Sequence, residues 1–129
     1  MKIEHLALWV KDLEASKAFY MKYFAMNCSN KYHNPKKQFQ SYFLSFEGSE
    51  TRIELMHNPL IIEAEKDTSL SFGLTHFSIS VGNRETVDKL TEQIRRDGYK
   101  IYGEARTTGD GYYESVILDP DGNQVEITE

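Results

Sequence analysis

Short runs of alternating apolar and polar residues punctuate the chain, and two longer stretches carry apolar residues at helical spacing. Residues 3–10 alternate, which predicts a strand with Leu6, Leu8 and Val10 on one face and His5, Ala7 and Trp9 on the other. Asp12 is placed to cap a helix over 13–25, with Leu13, Tyr20 and Phe24 on one stripe. Residues 27–38 read as a loop or short strand, and 39–46 and 51–56 as two strands around the turn Glu47-Gly48-Ser49-Glu50. A connector over 57–73 opens on Asn58-Pro59 and closes on Ser71-Phe72-Gly73. A strand over 74–81 follows. Asn83 then caps a helix over 84–97, with Val87, Leu90 and Ile94 inward and Gly98 as its stop. Glu85/Lys89 and Glu92/Arg96 stand at i,i+4 spacing on its wet side. Strands over 99–104, 112–118 and 123–128 complete the pattern, the last two joined by the turn Asp119-Pro120-Asp121-Gly122-Asn123.

The pattern occurs twice. I-E-H-L-A-L at 3–8 matches L-T-H-F-S-I at 74–79, each an alternating run with a histidine at its third place. Ser45–Glu54 and Ile117–Glu126 are each a strand end, a turn and a strand carrying a glutamate. His5 and His76 are 71 positions apart, and Glu54 and Glu126 are 72. The fold expected is therefore α+β: a single domain, 1–129, of two βαβββ modules, 1–56 and 74–129, forming a curved mixed eight-stranded sheet with helices on its convex face.

Composition narrows the function classes. The 129 residues carry 15 basic and 20 acidic side chains, a net charge of −5, and no basic stripe that would track phosphates, so neither nucleic acid nor membrane is expected as a partner. No apolar run approaches the roughly 18 residues of a membrane span, and the start does not read as a signal peptide. The single Cys28 excludes an internal disulfide and fits a reducing cytoplasm.

Parity along the strands selects the chemistry. Phe77, Ile79 and Val81 are greasy, whereas His76 lies with Ser78 and Ser80. Ile53 and Leu55 oppose Glu54, and Val125 and Ile127 oppose Glu126. All four ionisable residues, His5, Glu54, His76 and Glu126, thus point away from the face that must pack on a helix, toward the other side of the sheet. Two imidazoles and two carboxylates meeting there require a cation. One divalent transition metal suits the set: Zn, Ni or Co, with Mn or Fe as further options, and Mg or Ca less well.

The tandem pattern, with H5-L-A-L-W-V-K-D-L, S16-K-A-F-Y, I53-E-L, H76-F-S-I-S-V and D119-P-D-G-N-Q-V-E, resembles the vicinal oxygen chelate superfamily essentially end to end. The His, Glu, His, Glu quartet is most similar to that of glyoxalase I, lactoylglutathione lyase. The resemblance implies a metal held by His5, Glu54, His76 and Glu126, and isomerisation of the hemithioacetal of a 2-oxoaldehyde such as methylglyoxal to a 2-hydroxyacyl thioester through an enediolate. Glu126 would be the base and Glu54 its partner. It also implies a homodimer, since relatives often dimerise and some build each site from two subunits. The compact bacterial enzymes place a glutathione-binding arginine where this chain has Trp9, and an asparagine where it has Asn58. Trp9 reads as a stacking or apolar wall, or as ordinary filling. Arg52 and Arg106 read as carboxylate binders or surface ion-pair residues. Phe43 and Ser45 fall on Glu54's face; carried over by the repeat, Ser115, Ile117 and Tyr113 fall on Glu126's. His33 and His57 read as loop surface residues. Other chemistries of the scaffold (dioxygenase, epimerase, thiol transferase) and a non-catalytic resistance protein are the alternatives.

Overall fold

The structure, a computed structural model, describes residues 1–62 and 72–129. Part of the expected connector, including Ser71, lies outside the described residues. The chain forms two compact units, Met1–Glu65 and Lys66–Glu129.

The first unit contains β1 (His5–Trp9), α1 (Leu13–Phe24), β2 (Asn27–Cys28), β3 (Tyr32–Asn34), β4 (Phe39–Ser45) and β5 (Arg52–His57). The strands run β1-β5-β4-β2, with β3 also paired to β4. β1 and β5 are parallel, because a helix and several strands intervene, whereas β4 and β5 form an antiparallel hairpin. Gly48 makes the hairpin turn at φ +74°, a conformation that favours glycine. Asp12 caps α1 as expected, its carboxylate accepting from the backbone N–H groups of Glu14 (3.0 Å) and Ala15 (2.9 Å). Leu13, Phe19, Tyr20, Tyr23 and Phe24 of α1 are buried, as are Tyr42, Leu44, Ile53 and Leu55 of the sheet face beneath. The helical stripe and the period-2 alternation thus agree on one core.

The second unit repeats the plan with β6 (His76–Ser80), α2 (Arg84–Arg96), β7 (Ile101–Thr107), β8 (Tyr113–Leu118) and β9 (Gln124–Thr128), in the order β6-β9-β8-β7. β6 and β9 are parallel, like β1 and β5. The doubled βαβββ order and the mixed α+β fold are as expected. Hydrogen bonding groups the described strands into a five-stranded and a four-stranded sheet, one in each unit. The short β2 and β3 together take the edge place that β7 occupies in the second unit. Asn83 caps α2, accepting from Thr86 N–H at 2.9 Å, and Gly98, at φ +89°, ends it. Val87, Leu90 and Ile94 point inward and are buried with Ile117, Val125 and Ile127. Buried Thr91 donates to the Val87 carbonyl and accepts from Ser115, both at 2.7 Å, joining α2 to β8. Glu85 and Lys89 pair at 2.5 Å as expected, but Glu92 pairs with Arg95 (3.1 Å) rather than Arg96, because Arg95 also reaches Glu104 and lies between the two carboxylates.

At the turn into β9, Asp119 accepts from the N–H groups of Asp121 (3.0 Å) and Asn123 (2.8 Å), while Gly122 takes φ +78°. This folds the turn tightly and fixes the β8/β9 register, on which the position of Glu126 depends.

An ionic cluster fastens α1 to β4. Glu14 accepts from Lys17, from Lys31 (2.6 Å) and from the Tyr42 hydroxyl (2.9 Å). Lys17 also lies 4.6 Å from the centre of the Tyr42 ring. The Lys17 hydrogen bond above all, then those of Lys31 and Tyr42, hold the Glu14 carboxyl down to about 2. A carboxyl depressed in the folded state stabilises above its unfolded pKa and loses that contribution as pH falls through the folded value. Glu14 is half exposed, so screening keeps the effect small. The melting-temperature advantage of the wild type over Glu14→Gln is expected in full above about pH 4.5 and to shrink toward about pH 2. An advantage independent of pH over that range would refute it.

Candidate functional site

Each unit carries an imidazole–carboxylate pair across its parallel ladder. In the first, parallel pairing sets His5 opposite Arg52 and Ala7 opposite Glu54. His5 and Glu54 are thus displaced by two ladder positions along neighbouring strands, which keeps them on one face, and His5 Nε2 lies 3.8 Å from Glu54 Oε2. In the second, His76 stands opposite Gln124 and Ser78 opposite Glu126, and His76 Nε2 lies 3.4 Å from Glu126 Oε2. The environments match as well: the imidazoles are 40% and 44% exposed and both carboxylates 15%. The small side chains of Ala7 and Ser78 between the partners keep the space open.

Both separations exceed an ordinary hydrogen bond of about 2.9 Å, so neither pair is closed upon itself. Two donor atoms each about 2.1 Å from a shared transition metal are about 3.0 Å apart at a right angle and about 3.4 Å apart at the tetrahedral angle. The second pair, at 3.4 Å, has the tetrahedral spacing, and the first, at 3.8 Å, is wider; nitrogen plus carboxylate oxygen is a donor set that such metals accept. Among the described residues, no three or more His, Cys, Asp or Glu side chains gather as a metal-holding group. Each unit brings together one imidazole and one carboxylate.

The surroundings of the two pairs differ. Phe43 lies opposite Glu54 on β4, as expected, and its ring meets His5 edge to face at 5.6 Å. The Arg52 guanidinium lies 3.9 Å over the Phe43 ring and donates to Glu4, which in turn accepts from His5 Nδ1. The His5 hydrogen bond above all, with Arg52 adding to it, holds the Glu4 carboxyl below its usual range. Arg52 is thus an ion-pair residue. Farther along the same face, Trp9 is 45% exposed and meets Phe39 edge on at 6.1 Å, with Tyr32 a further 6.1 Å from Phe39. These rings form an aromatic margin beside the first pair.

Beside the second pair, Val116 lies opposite Glu126 and Glu114 opposite Thr128. Glu114 therefore shares Glu126's face. It is 13% exposed and lies 3.6 Å from Arg106. Burial first, then the charge of Glu126 and a hydrogen bond with it, push the Glu114 carboxyl up against the opposing pull of Arg106.

The expectation for Ser115, Ile117 and Tyr113 is overturned. Ser115 pairs with Ile127 and Ile117 with Val125, both are fully buried on the helix side, and the Tyr113 hydroxyl donates to Asp88 of α2 at 2.7 Å. The reason is one residue. Phe43 and Glu54 are eleven positions apart, but the equivalent Val116 and Glu126 are ten, because the second hairpin is shorter. Carrying positions across the repeat at constant offset slips β8 by one residue, which exchanges its faces. Counting outward from the Asp119–Asn123 turn would have found Glu114. Glu4 escaped for another reason. A strand begun at residue 3 turns Glu4 away from His5, but β1 begins at His5 and Glu4 bends back to the ring.

The remaining residues are also placed. Asn58 commits both ends of its amide to backbone, donating to the Lys37 carbonyl (3.1 Å) and accepting from Leu60 N–H (2.9 Å), so it ties the segment after β5 to the turn between β3 and β4. Arg106 faces Glu114 rather than an open carboxylate-binding position. His33 lies in β3, and His57 ends β5 with Nδ1 3.0 Å from the Val10 carbonyl, so neither is a loop residue.

Known proteins share this design. The sequence profile of the glyoxalase/bleomycin resistance protein/dioxygenase superfamily matches residues 2–127. The lactoylglutathione lyase of Escherichia coli O157:H7 is 30% identical over 132 residues, covering 100% of this chain and 93% of that one. Glyoxalase I from Zea mays superposes with a TM-score of 0.79 at 29% identity, over 98% of this chain and 44% of that chain, which is about twice as long. The trypanothione-dependent glyoxalase I of Leishmania major superposes with a TM-score of 0.78 at 25% identity, over 100% of this chain and 86% of that one. Members of this group generally bind a divalent metal. By profile, sequence and fold, the chain belongs to the glyoxalase/bleomycin resistance protein/dioxygenase superfamily.

Proposed function

We propose that the protein is a metal-dependent lyase of the glyoxalase I kind, which isomerises the hemithioacetal of methylglyoxal or a similar 2-oxoaldehyde to a 2-hydroxyacyl thioester. The observation that carries this reading is the repeated pair, His5 with Glu54 and His76 with Glu126, at equivalent ladder positions and with matching spacing and burial. Relatives named lactoylglutathione lyase support it. The four side chains would hold one divalent ion, with Zn, Ni or Co favoured. When bound, such an ion polarises two adjacent substrate oxygens and lowers the energy of negative charge that develops on them.

The chain's residues supply the rest. Glu126 accepts the proton from the carbon that bears sulfur and returns it to the neighbouring carbon, formerly the carbonyl. The hydroxyl hydrogen passes to the adjacent oxygen, so the reaction is a balanced isomerisation with no net gain or loss. Glu54 is the partner carboxylate. Glu126 suits the role of base because it is largely shielded and lies beside the shielded carboxyl of Glu114. Phe43 walls the first pair, and Trp9 with Phe39 presents an aromatic surface where the substrate's thiol arm would lie. We read the protein as a cytoplasmic homodimer. Burial pushes the Cys28 thiol up, which favours an unreactive thiol over a nucleophile.

The metal-loaded protein, mixed with methylglyoxal and in turn with glutathione and other low-molecular-mass thiols, is expected to form thioester with at least one of them, followed by ultraviolet absorbance. No turnover with any thiol would overturn the lyase reading and favour another chemistry of the superfamily. Glu126→Gln is expected to lower kcat by about 10²–10⁴-fold, the usual worth of a general base, while a chelator titration shows metal still retained, though more weakly. Undiminished kcat would remove Glu126 as the base.

A further inference from the structure

We infer that Glu4 is a positioning residue that fixes the tautomer and orientation of His5, a role that rests on the metal-binding part of the reading above. Four side chains close a ring of contacts. Glu4 accepts from His5 Nδ1, Arg52 donates to Glu4, Arg52 lies 3.9 Å over Phe43, and Phe43 meets the His5 ring at 5.6 Å. The backbone reinforces the ring, since Arg52 N–H donates to the Glu4 carbonyl at 3.0 Å. A neutral imidazole has one N–H, and a carboxylate can only accept. With the proton on Nδ1 facing Glu4, the lone pair is on Nε2, the nitrogen on the Glu54 side. This is the arrangement by which an outer carboxylate orients an imidazole ligand and raises its basicity.

Among the described residues, the second unit has no copy of the ring. The residue before His76 is Thr75, Gln124 stands where Arg52 does, and Val116 stands where Phe43 does. The brace therefore belongs to the first pair alone. It makes that pair the anchoring half of the set and leaves the second, which contains the proposed base, less constrained at its imidazole.

The test reads the histidine itself. In metal-free protein at mildly alkaline pH, nitrogen NMR is expected to show His5 with its proton on Nδ1. Glu4→Ala should shift His5 toward the other tautomer and weaken Zn²⁺ binding about 10–100-fold in a chelator competition. Glu4→Gln should keep the Nδ1 proton, because its amide oxygen still accepts. Thr75→Ala should leave His76 and Zn²⁺ affinity near wild type. An unchanged His5 tautomer in Glu4→Ala would overturn the inference whatever the affinity does, as would equal loss of the Nδ1 tautomer in Glu4→Gln and Glu4→Ala. Because the tautomer is measured without metal or substrate, this result is independent of whether the lyase assay succeeds.

Discussion

The parallel pairing of the first and last strand of each module is the constraint on which the site depends. A parallel ladder between β1 and β5, and again between β6 and β9, puts a histidine and a glutamate on one face, two ladder positions out of step. Hairpins alone would not bring those positions together. The parallel partners are separated in sequence by a helix and an antiparallel excursion, and the apolar face of that helix must be buried on the opposite side of the same sheet. Packing and chemistry are thereby divided between the two faces of every strand. Leu8, Leu55, Ile79 and Ile127 serve the core, and their sequence neighbours serve the site.

The two units share one plan but give their pairs different surroundings. Around His5 the polar contacts close on the imidazole, through Glu4, Arg52 and Phe43. Around His76 they gather on the carboxylate, through Glu114 and Arg106. The aromatic margin of Trp9, Phe39 and Tyr32 stands beside the first pair and offers ring faces and edges. A substrate arm meeting it would be recognised by contact area rather than by an ion pair.

Much of this was legible before any coordinates. Strict alternation placed His5, Glu54, His76 and Glu126 on the faces they occupy, and the caps at Asp12 and Asn83 located both helices, because these signals are local. Non-local details were not legible. The β8 face depended on the length of one hairpin, and a single missing residue exchanged Ser115 and Tyr113 for Glu114. The Glu4 contact depended on where β1 becomes regular, which alternation alone does not mark. Asn58 commits its amide to the backbone of Lys37 and Leu60, which residue identity alone does not reveal.

The central claim is that the two imidazole–carboxylate pairs serve one metal ion. X-ray absorption spectroscopy of the protein loaded with a single type of divalent transition metal tests it most directly. The account predicts two imidazole ligands and carboxylate oxygens around each ion, at bond lengths of about 2.0–2.2 Å. One imidazole per ion, with two ions bound per chain, would show that the pairs act separately and would contradict it.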